Sequence, residues 1–279
     1  MFKLSAGLLP LLYGIITYSS FGITLFLACY LHFKQVTKNH CRHWEFLPSI
    51  SATIGDFTPE MNVFRYGMAL TSGLRLGTIY LNHYLAVDEK NNLISQLHNT
   101  NRPNSFKGTT ESLNASIKSI TTLIPLCTIF DTLRVFSAGV WIYVSSSEWL
   151  FFHQCGFVSY VIFSFLYMYT YTSLFYQTRI KFKVQHTTFW SLIFKSYDRK
   201  TQKELFSLKW KVIVGITHFL LFISSLKYFV DHEFHCVYLA YSKYSVFEWS
   251  LAIFNVGYDI LTYFDLDSLY FTLHREKVL

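Results

Sequence analysis

The chain has 279 residues, of which 52% are hydrophobic, 19% aromatic and only 15% charged. Charged residues form about a quarter of an ordinary soluble domain; here 28 Phe and 20 Tyr fill the shortfall in long apolar runs, which argues against a soluble fold and for an integral membrane protein. The net charge of +7 does not imply nucleic-acid binding, because the basic residues concentrate in connections between apolar runs, where topology and anionic lipid head groups account for them.

A helix needs about 20 mostly apolar residues to cross the hydrocarbon. Six segments meet that length: residues 8–31, 63–87, 120–144, 149–176, 211–230 and 244–266. The expected fold is therefore all-α and polytopic, one transmembrane domain over residues 1–279, with about six transmembrane helices and short luminal connections. The first segment reads as an uncleaved span. Its apolar run exceeds the ~7–15-residue core of a signal peptide, and it ends in LACYLHF without an A-x-A site.

The connection over residues 32–62 contains KNHCRHWEFLPSISATIGDFTPE. Its bland reading is a loop ordered by Pro48 and Gly55. Its sharper reading is a head-group platform, on which Ser49, Ser51 and backbone amides meet phosphate or sugar. The Walker spacing GxxxxGK[ST] is missing, so ATP is not implied. In the second segment Arg65, Ser72 and His83 share one helical face, and Arg65 belongs near the luminal head groups, where its planar fork suits phosphate.

Residues 88–119 are polar and read as a mobile cytosolic loop; the sequon Asn114-Ala115-Ser116 would stay unmodified there. Asp131 and Arg134 stand three apart in the third segment and can pair locally, a structural role. The junction YVSSSEW follows. Ser146 or Ser147 is expected to cap the fourth helix, with Glu148 in its first turn. The same junction gathers Ser145, Ser146, Ser147, Glu148 and His153 at the membrane level of Arg65 and Glu248. A serine near a histidine and a carboxylate suggests nucleophilic or general-base chemistry, although no GxSxG elbow is present.

The connection over residues 177–210 is rich in Arg and Lys and is expected in the cytosol. Alternation then places both termini and residues 88–119 in the cytosol, and residues 32–62, the SSSE junction and residues 231–243 in the lumen. In the last segment Glu248, Asn255 and Asp259 form a polar stripe at ~100° per residue. Such a stripe faces the bundle interior or a hydrated cavity. A hydrogen-bonded seam, a head-group cleft and a transport path all fit it.

Five cysteines without a CxxC pair argue against a zinc module. Cys41 and Cys236 both fall on the luminal side and are a candidate disulfide in an oxidising compartment, a pairing the sequence leaves open. His40 and His235 precede them, but neither a metal nor a cofactor is expected. Cys29, Cys127 and Cys155 fall within spans and read as small buried hydrophobes.

Several stretches together resemble the post-GPI-attachment-to-proteins factor 2 family of Golgi membrane proteins. They are NHC (Asn39–Cys41), LPSISATIG (Leu47–Gly55), Arg65, Arg75, NHYL (Asn82–Leu85), YVSSSE (Tyr143–Glu148) with His153, Cys236, and Glu248 with Asn255 and Asp265. The resemblance implies lipid remodelling of glycosylphosphatidylinositol (GPI) anchors, in particular reacylation of lyso-GPI with a saturated chain in support of surface expression of GPI-anchored proteins. The alternative is a non-catalytic factor that presents GPI lipid to a separate acyltransferase or stabilises it. The resemblance carries over no catalytic residue; the grouping of acid, base and cation at one membrane level makes Glu148, His153 and Glu248 candidate catalytic residues, with His153 or Glu148 as general base. Candidate head-group contacts are Ser49, Ser51, Arg65, Ser145, Ser146, Ser147 and Asn255. The implied partners are GPI-anchored proteins, lyso-GPI, membrane lipids and an unidentified acyl donor. The implied location is the Golgi membrane, with the endoplasmic reticulum as the alternative.

Overall fold

A computed structural model describes residues 2–100, 107–182 and 198–273. Eight α-helices make up nearly all of it: α1 (Leu8–Leu31), α2 (Phe33–Val36), α3 (Ile50–Gly55), α4 (Glu60–Thr100), α5 (Lys107–Tyr143), α6 (Ser146–Phe175), α7 (Arg199–Glu233) and α8 (Ala240–Leu266). A π-helical turn over Tyr176–Ile180 extends α6. Two four-residue strands, β1 (Phe2–Ser5) and β2 (Tyr270–Leu273), pair antiparallel, so the ends of the described chain meet at one end of the bundle. The opposite end carries α2, α3 and the α5–α6 junction.

Four helical segments are long and apolar enough to cross a membrane: Leu8–Leu31, Glu111–Tyr143, Ser146–Ile180 and Arg199–Glu233. The chain is thus a polytopic membrane protein. Helices α4 and α8 have the length expected of the other two spans but not the apolarity. Both carry charged groups that the bundle buries, among them Arg75, Asp259 and Asp265. Polarity is inverted relative to a water-soluble bundle. Phe26, Phe136 and Leu220 are exposed, while Arg134, Lys211 and Asp265 are at most 1% exposed.

The polar stretch expected as a mobile loop is largely helical. Helix α4 runs on to Thr100 and α5 starts at Lys107; residues 101–106 lie outside the described residues, as do residues 183–197 of the basic connection. The reason is a sparse apolar stripe. Leu93 from α4 and Leu113 from α5 join one buried cluster with Ile120 and Tyr167, and Leu97 and Ile117 pack against it. Four well-spaced apolar residues suffice to dock two helical extensions, even where the average composition is polar.

Charge inside the bundle is balanced. Arg75 bonds Asp131 at 2.9 Å and Asp259 at 2.5 Å, and Arg134 bonds the same two carboxylates at 2.6 and 2.9 Å. The local Asp131–Arg134 pair expected from the sequence is therefore one edge of a four-membered network joining α4, α5 and α8. Asn255 accepts from Arg134 at 3.1 Å. Nearer the strand end, Lys211 holds Asp265 at 2.7 Å, and Asp265 also accepts from Tyr171 and Ser207, each at 2.8 Å. An ionised group taken out of water costs several kcal/mol unless it is paired and hydrogen-bonded, which is why every charge in these clusters has an opposite neighbour.

Cys41 and Cys236 are joined in a disulfide with their Cα atoms 5.4 Å apart and a sequence separation of 195 residues. It ties the α2–α3 connection to the end of α7. Closing so long a loop restricts the unfolded chain, so Cys41→Ser is expected to lower stability by roughly 2–5 kcal/mol. A thermal midpoint in detergent equal to that of the wild type would contradict this. Of the remaining cysteines Cys127 is buried as expected, but Cys29 is half-buried and Cys155 is exposed.

Candidate functional site

At the disulfide end, the segment Glu45–Ser51 is fastened to the first turns of α8. Glu45 accepts the Ser242 N–H at 2.9 Å, and Ser242 Oγ accepts the N–H groups of Phe46 and Leu47 at 2.8 and 3.2 Å. Trp249 Nε1 donates to Pro48 O at 3.0 Å. Tyr241 Oη accepts the Ser49 N–H at 3.2 Å and lies 3.2 Å from Ser49 Oγ. Pro48 and Ser49 then start α3, where Ser49 Oγ caps the helix by accepting the Ala52 N–H at 3.1 Å. A Ser in extended conformation before a helical turn satisfies a donor that the helix leaves orphaned.

This anchoring gives α3 two faces. Ile50 and Ile54 are buried against Phe64, Trp141 and Trp249. Ser51, half-buried, points the other way, to His153 and Glu248. Its Oγ stands 2.8 Å from His153 Nε2 and 3.4 Å from Glu248 Oε1, and Glu248 Oε2 accepts the Ile50 N–H at 3.0 Å. His153 Nδ1 lies 2.8 Å from Val144 O. A carbonyl can only accept, so Nδ1 carries the proton, and in the neutral ring Nε2 is left to accept the Ser51 O–H; this tautomer is assigned from the hydrogen bonds. His153 is 4% and Glu248 2% exposed.

Local packing explains the position of His153. Gly156, one turn further along α6, abuts the backbone of α5: a Cβ there would stand 2.9 Å from Trp141 N. The absent side chain lets α6 approach α5 closely, which brings His153 within reach of the Val144 carbonyl just past the end of α5.

The junction residues divide into two groups. Ser145, rather than Ser146 or Ser147, is the N-cap of α6, in a reciprocal capping box with Glu148: Ser145 Oγ accepts the Glu148 N–H at 3.2 Å and Glu148 Oε2 accepts the Ser145 N–H at 3.0 Å. The S-x-x-E spacing signals such a box, and it begins at the first serine. Ser147 Oγ bonds Asp56 and lies 2.9 Å from Ser145 Oγ, and Ser146 faces Gly55 on α3. Glu148 is 64% exposed, 4.0 Å from Arg65, whose Nη2 donates to Tyr143 O at 3.3 Å. Glu148 thus stands apart from His153 and Glu248, and Asn255 lies deep with Arg134 instead of among the head-group candidates. Ser145→Ala is expected to cost about 1 kcal/mol, within the 0.5–2 range of lost caps, and an unchanged denaturation midpoint would count against the box.

A partly open cleft runs between α4 and α5, lined by Phe21, Phe64, Trp141, Ile142 and Val256 and by Arg75 and Arg134. The walls belong to the same apolar cluster into which α3 inserts Ile50 and Ile54. Sequence reading located the individual polar residues of this region, but not Ser51 as the partner of His153. The two are 102 residues apart, and only the strapping of residues 45–51 onto α8 brings them together.

Two groups of side chains could hold a metal ion although none is expected from the sequence: His40 with Cys41 and Cys236, and His40 with His232 and Glu233, each with its donor atoms within 4.8 Å of one another. The disulfide occupies both sulfurs of the first, leaving two imidazoles and one carboxylate in the second.

Residues 5–269 match the family described as the Frag1/DRAM/Sfk1/Cwh43P N-terminal domain. The chain is 27% identical over 276 residues to Protein cwh43 of Schizosaccharomyces pombe, covering 98% of this chain and 22% of that protein. It is 26% identical to the Post-GPI attachment to proteins factor 2-like protein of Drosophila melanogaster, covering 88% of this chain and 65% of the relative. It is 25% identical to Acyltransferase PGAP2 of Xenopus tropicalis, covering 84% of this chain and 77% of the relative. The chain therefore spans about a fifth and just under two thirds of the first two relatives. No solved structure matches.

Proposed function

Since this chain belongs to the Frag1/DRAM/Sfk1/Cwh43P N-terminal domain family, we propose that it acts in GPI-anchor maturation by reacylating lyso-GPI, transferring a saturated fatty chain to the sn-2 hydroxyl. Two relatives carry names that support the reading, one as a post-GPI-attachment factor and one as an acyltransferase. The observation that carries it is the buried imidazole of His153, held by Val144 O at 2.8 Å and presenting Nε2 to a hydroxyl at 2.8 Å. A hydroxyl is a poor nucleophile until a base takes its proton. A base within hydrogen-bond reach and oriented by a third group meets that need.

In this reading the disulfide end faces the lumen of the Golgi, whose side of the membrane permits disulfides, and both termini face the cytosol. Six helices span the bilayer, with the buried charges of α4 and α8 paired inside the bundle. Arg65, beside Glu148 at the α5–α6 junction, meets the lipid phosphate. The lyso-GPI glycerol then brings its free hydroxyl to His153, and GPI-anchored proteins are the carriers of that lipid.

The test is the lipid composition of GPI anchors in cells lacking this chain. Loss of the saturated sn-2 chain, with lyso-GPI accumulating or anchored proteins lost from the surface, is expected. Anchors of unchanged composition would overturn the assignment.

A further inference from the structure

We propose that Ser51 is the nucleophile of this site and carries the acyl group as a covalent ester between donor and acceptor. The inference rests on the acyl-transfer reading and adds to it a second chemical step and a named carrier.

Four observations support it. First, Ser51 Oγ has the geometry of an activated nucleophile, 2.8 Å from His153 Nε2. The opposite nitrogen of that ring is fixed by Val144 O at 2.8 Å. A nucleophile bonded to a base that is itself oriented by a third group is the arrangement on which hydroxyl-based covalent catalysis depends. Second, three other serines at this level are differently committed. Ser49 caps α3, Ser145 caps α6, and Ser147 bonds Asp56. Third, Ser51 is half-buried beside an almost fully buried base, so its hydroxyl lies on the more accessible side of the pair. Fourth, the opposite face of α3 packs Ile50 and Ile54 in one cluster with Phe64 and Trp141, which also line the apolar cleft. An acyl chain esterified to Ser51 is thus attached to a helix whose other face borders an apolar enclosure.

The steps balance without a redox partner. The donor is a long acyl chain bonded to an oxygen or sulfur leaving group, such as a phospholipid ester or an acyl thioester. The Ser51 O–H proton passes to His153 Nε2 as Oγ attacks the donor carbonyl. The bond from carbonyl carbon to leaving group breaks, and the leaving oxygen or sulfur takes the proton from Nε2. The product is an acyl-Ser51 ester with a neutral His153. The sn-2 hydroxyl of lyso-GPI then gives its proton to Nε2 and attacks the ester carbonyl. The bond to Ser51 Oγ breaks and Oγ recovers the proton. Glu248, within 3.4 Å of Ser51 Oγ and bonded to the Ile50 N–H, is a positioning residue: it holds α3 and favours the transient imidazolium across Ser51.

The experiment incubates the full chain, reconstituted in liposomes without acceptor, with an alkyne-tagged acyl group supplied in one arm as a phosphatidylcholine ester and in the other as a coenzyme A thioester. The expected result is one tag per chain in at least one arm, mapped by mass spectrometry to Ser51, stable to neutral hydroxylamine and chased off by lyso-GPI. Ser51→Ala should abolish the tag. Ser51→Cys should carry it as a thioester that neutral hydroxylamine removes, a signature that a merely structural Ser51 would not give. Ser250→Ala, at a half-buried serine on α8 whose hydroxyl bonds Val246 O, should label like the wild type. Failure of Ser51 to take the tag in both arms, or a Ser51→Ala chain that transfers acyl to lyso-GPI at the wild-type rate, would overturn the carrier role while leaving the acyl-transfer reading standing. A wild-type chain that neither labels nor transfers would sink both.

Discussion

Arg134→Leu is expected to leave little folded protein. Arg134 is 1% exposed and holds Asp131 and Asp259 at 2.6 and 2.9 Å, beside the guanidinium of Arg75. Removing it leaves two buried carboxylates to share one cation in the middle of the bundle. Breaking a buried pair in this way costs about 3–5 kcal/mol, a large part of the roughly 5–15 kcal/mol that stabilises a typical folded protein. Leucine also leaves the Arg134 contact over the Tyr167 ring, 4.2 Å to the centroid, unmade. The double variant Arg134→Leu with Asp131→Leu restores neutrality around the remaining Arg75–Asp259 pair and should recover most of the loss. The monodisperse fraction after detergent extraction measures both. A single variant as abundant as the wild type would show that the four charges do not act as a unit.

The second large effect is on chemistry. His153→Ala should lower acyl transfer to lyso-GPI by roughly 10²–10⁴-fold, the range for loss of a positioned general base. The fall should lie in kcat with KM little changed, because the proton is taken only on the way to the transition state. Some stability is lost as well, since Val144 O gives up its donor, a cost of about 1–3 kcal/mol, so the rate must be normalised to folded protein. Glu148→Gln, which alters only the exposed cap and its 4.0 Å approach to Arg65, should lose far less. A His153→Ala chain of wild-type rate, or a Glu148→Gln chain as impaired as His153→Ala, would contradict the assignment of the base.

The contrast between those two residues shows where the sequence is legible. Periodicity and apolar run length give the helices well: Leu8–Leu31 matches α1 end for end. Spacing along one element also reads correctly. The local Asp131–Arg134 pair and the buried stripe of Glu248, Asn255 and Asp259 follow from residues three, seven and eleven apart on a helix. Composition misleads at residues 88–119, because a mean over polar residues hides the few leucines and isoleucines that dock the extensions of α4 and α5. The site itself depends on contacts between distant segments. Glu148 looks catalytic in sequence because it is five residues from His153, but a capping box turns its carboxylate back onto its own helix terminus. Ser51 looks like one of several loop serines until Glu45, Pro48 and Ser49 are tied to Ser242, Trp249 and Tyr241. Such ties pair a backbone group with a side chain far away in sequence, which spacing along a single element does not report.

The central claim is that this chain is itself the acyltransferase and needs no second enzyme to act on. The most direct test uses purified wild-type chain and its His153→Ala variant as the sole protein in liposomes containing lyso-GPI and an isotopically labelled acyl donor. The product is followed by mass spectrometry. Time-dependent labelling of the sn-2 position by the wild type, and its near-loss in the variant, is the predicted result. No product from folded wild-type chain, with product appearing only on addition of a separate membrane acyltransferase, would contradict the claim and make the chain a presenter of GPI lipid.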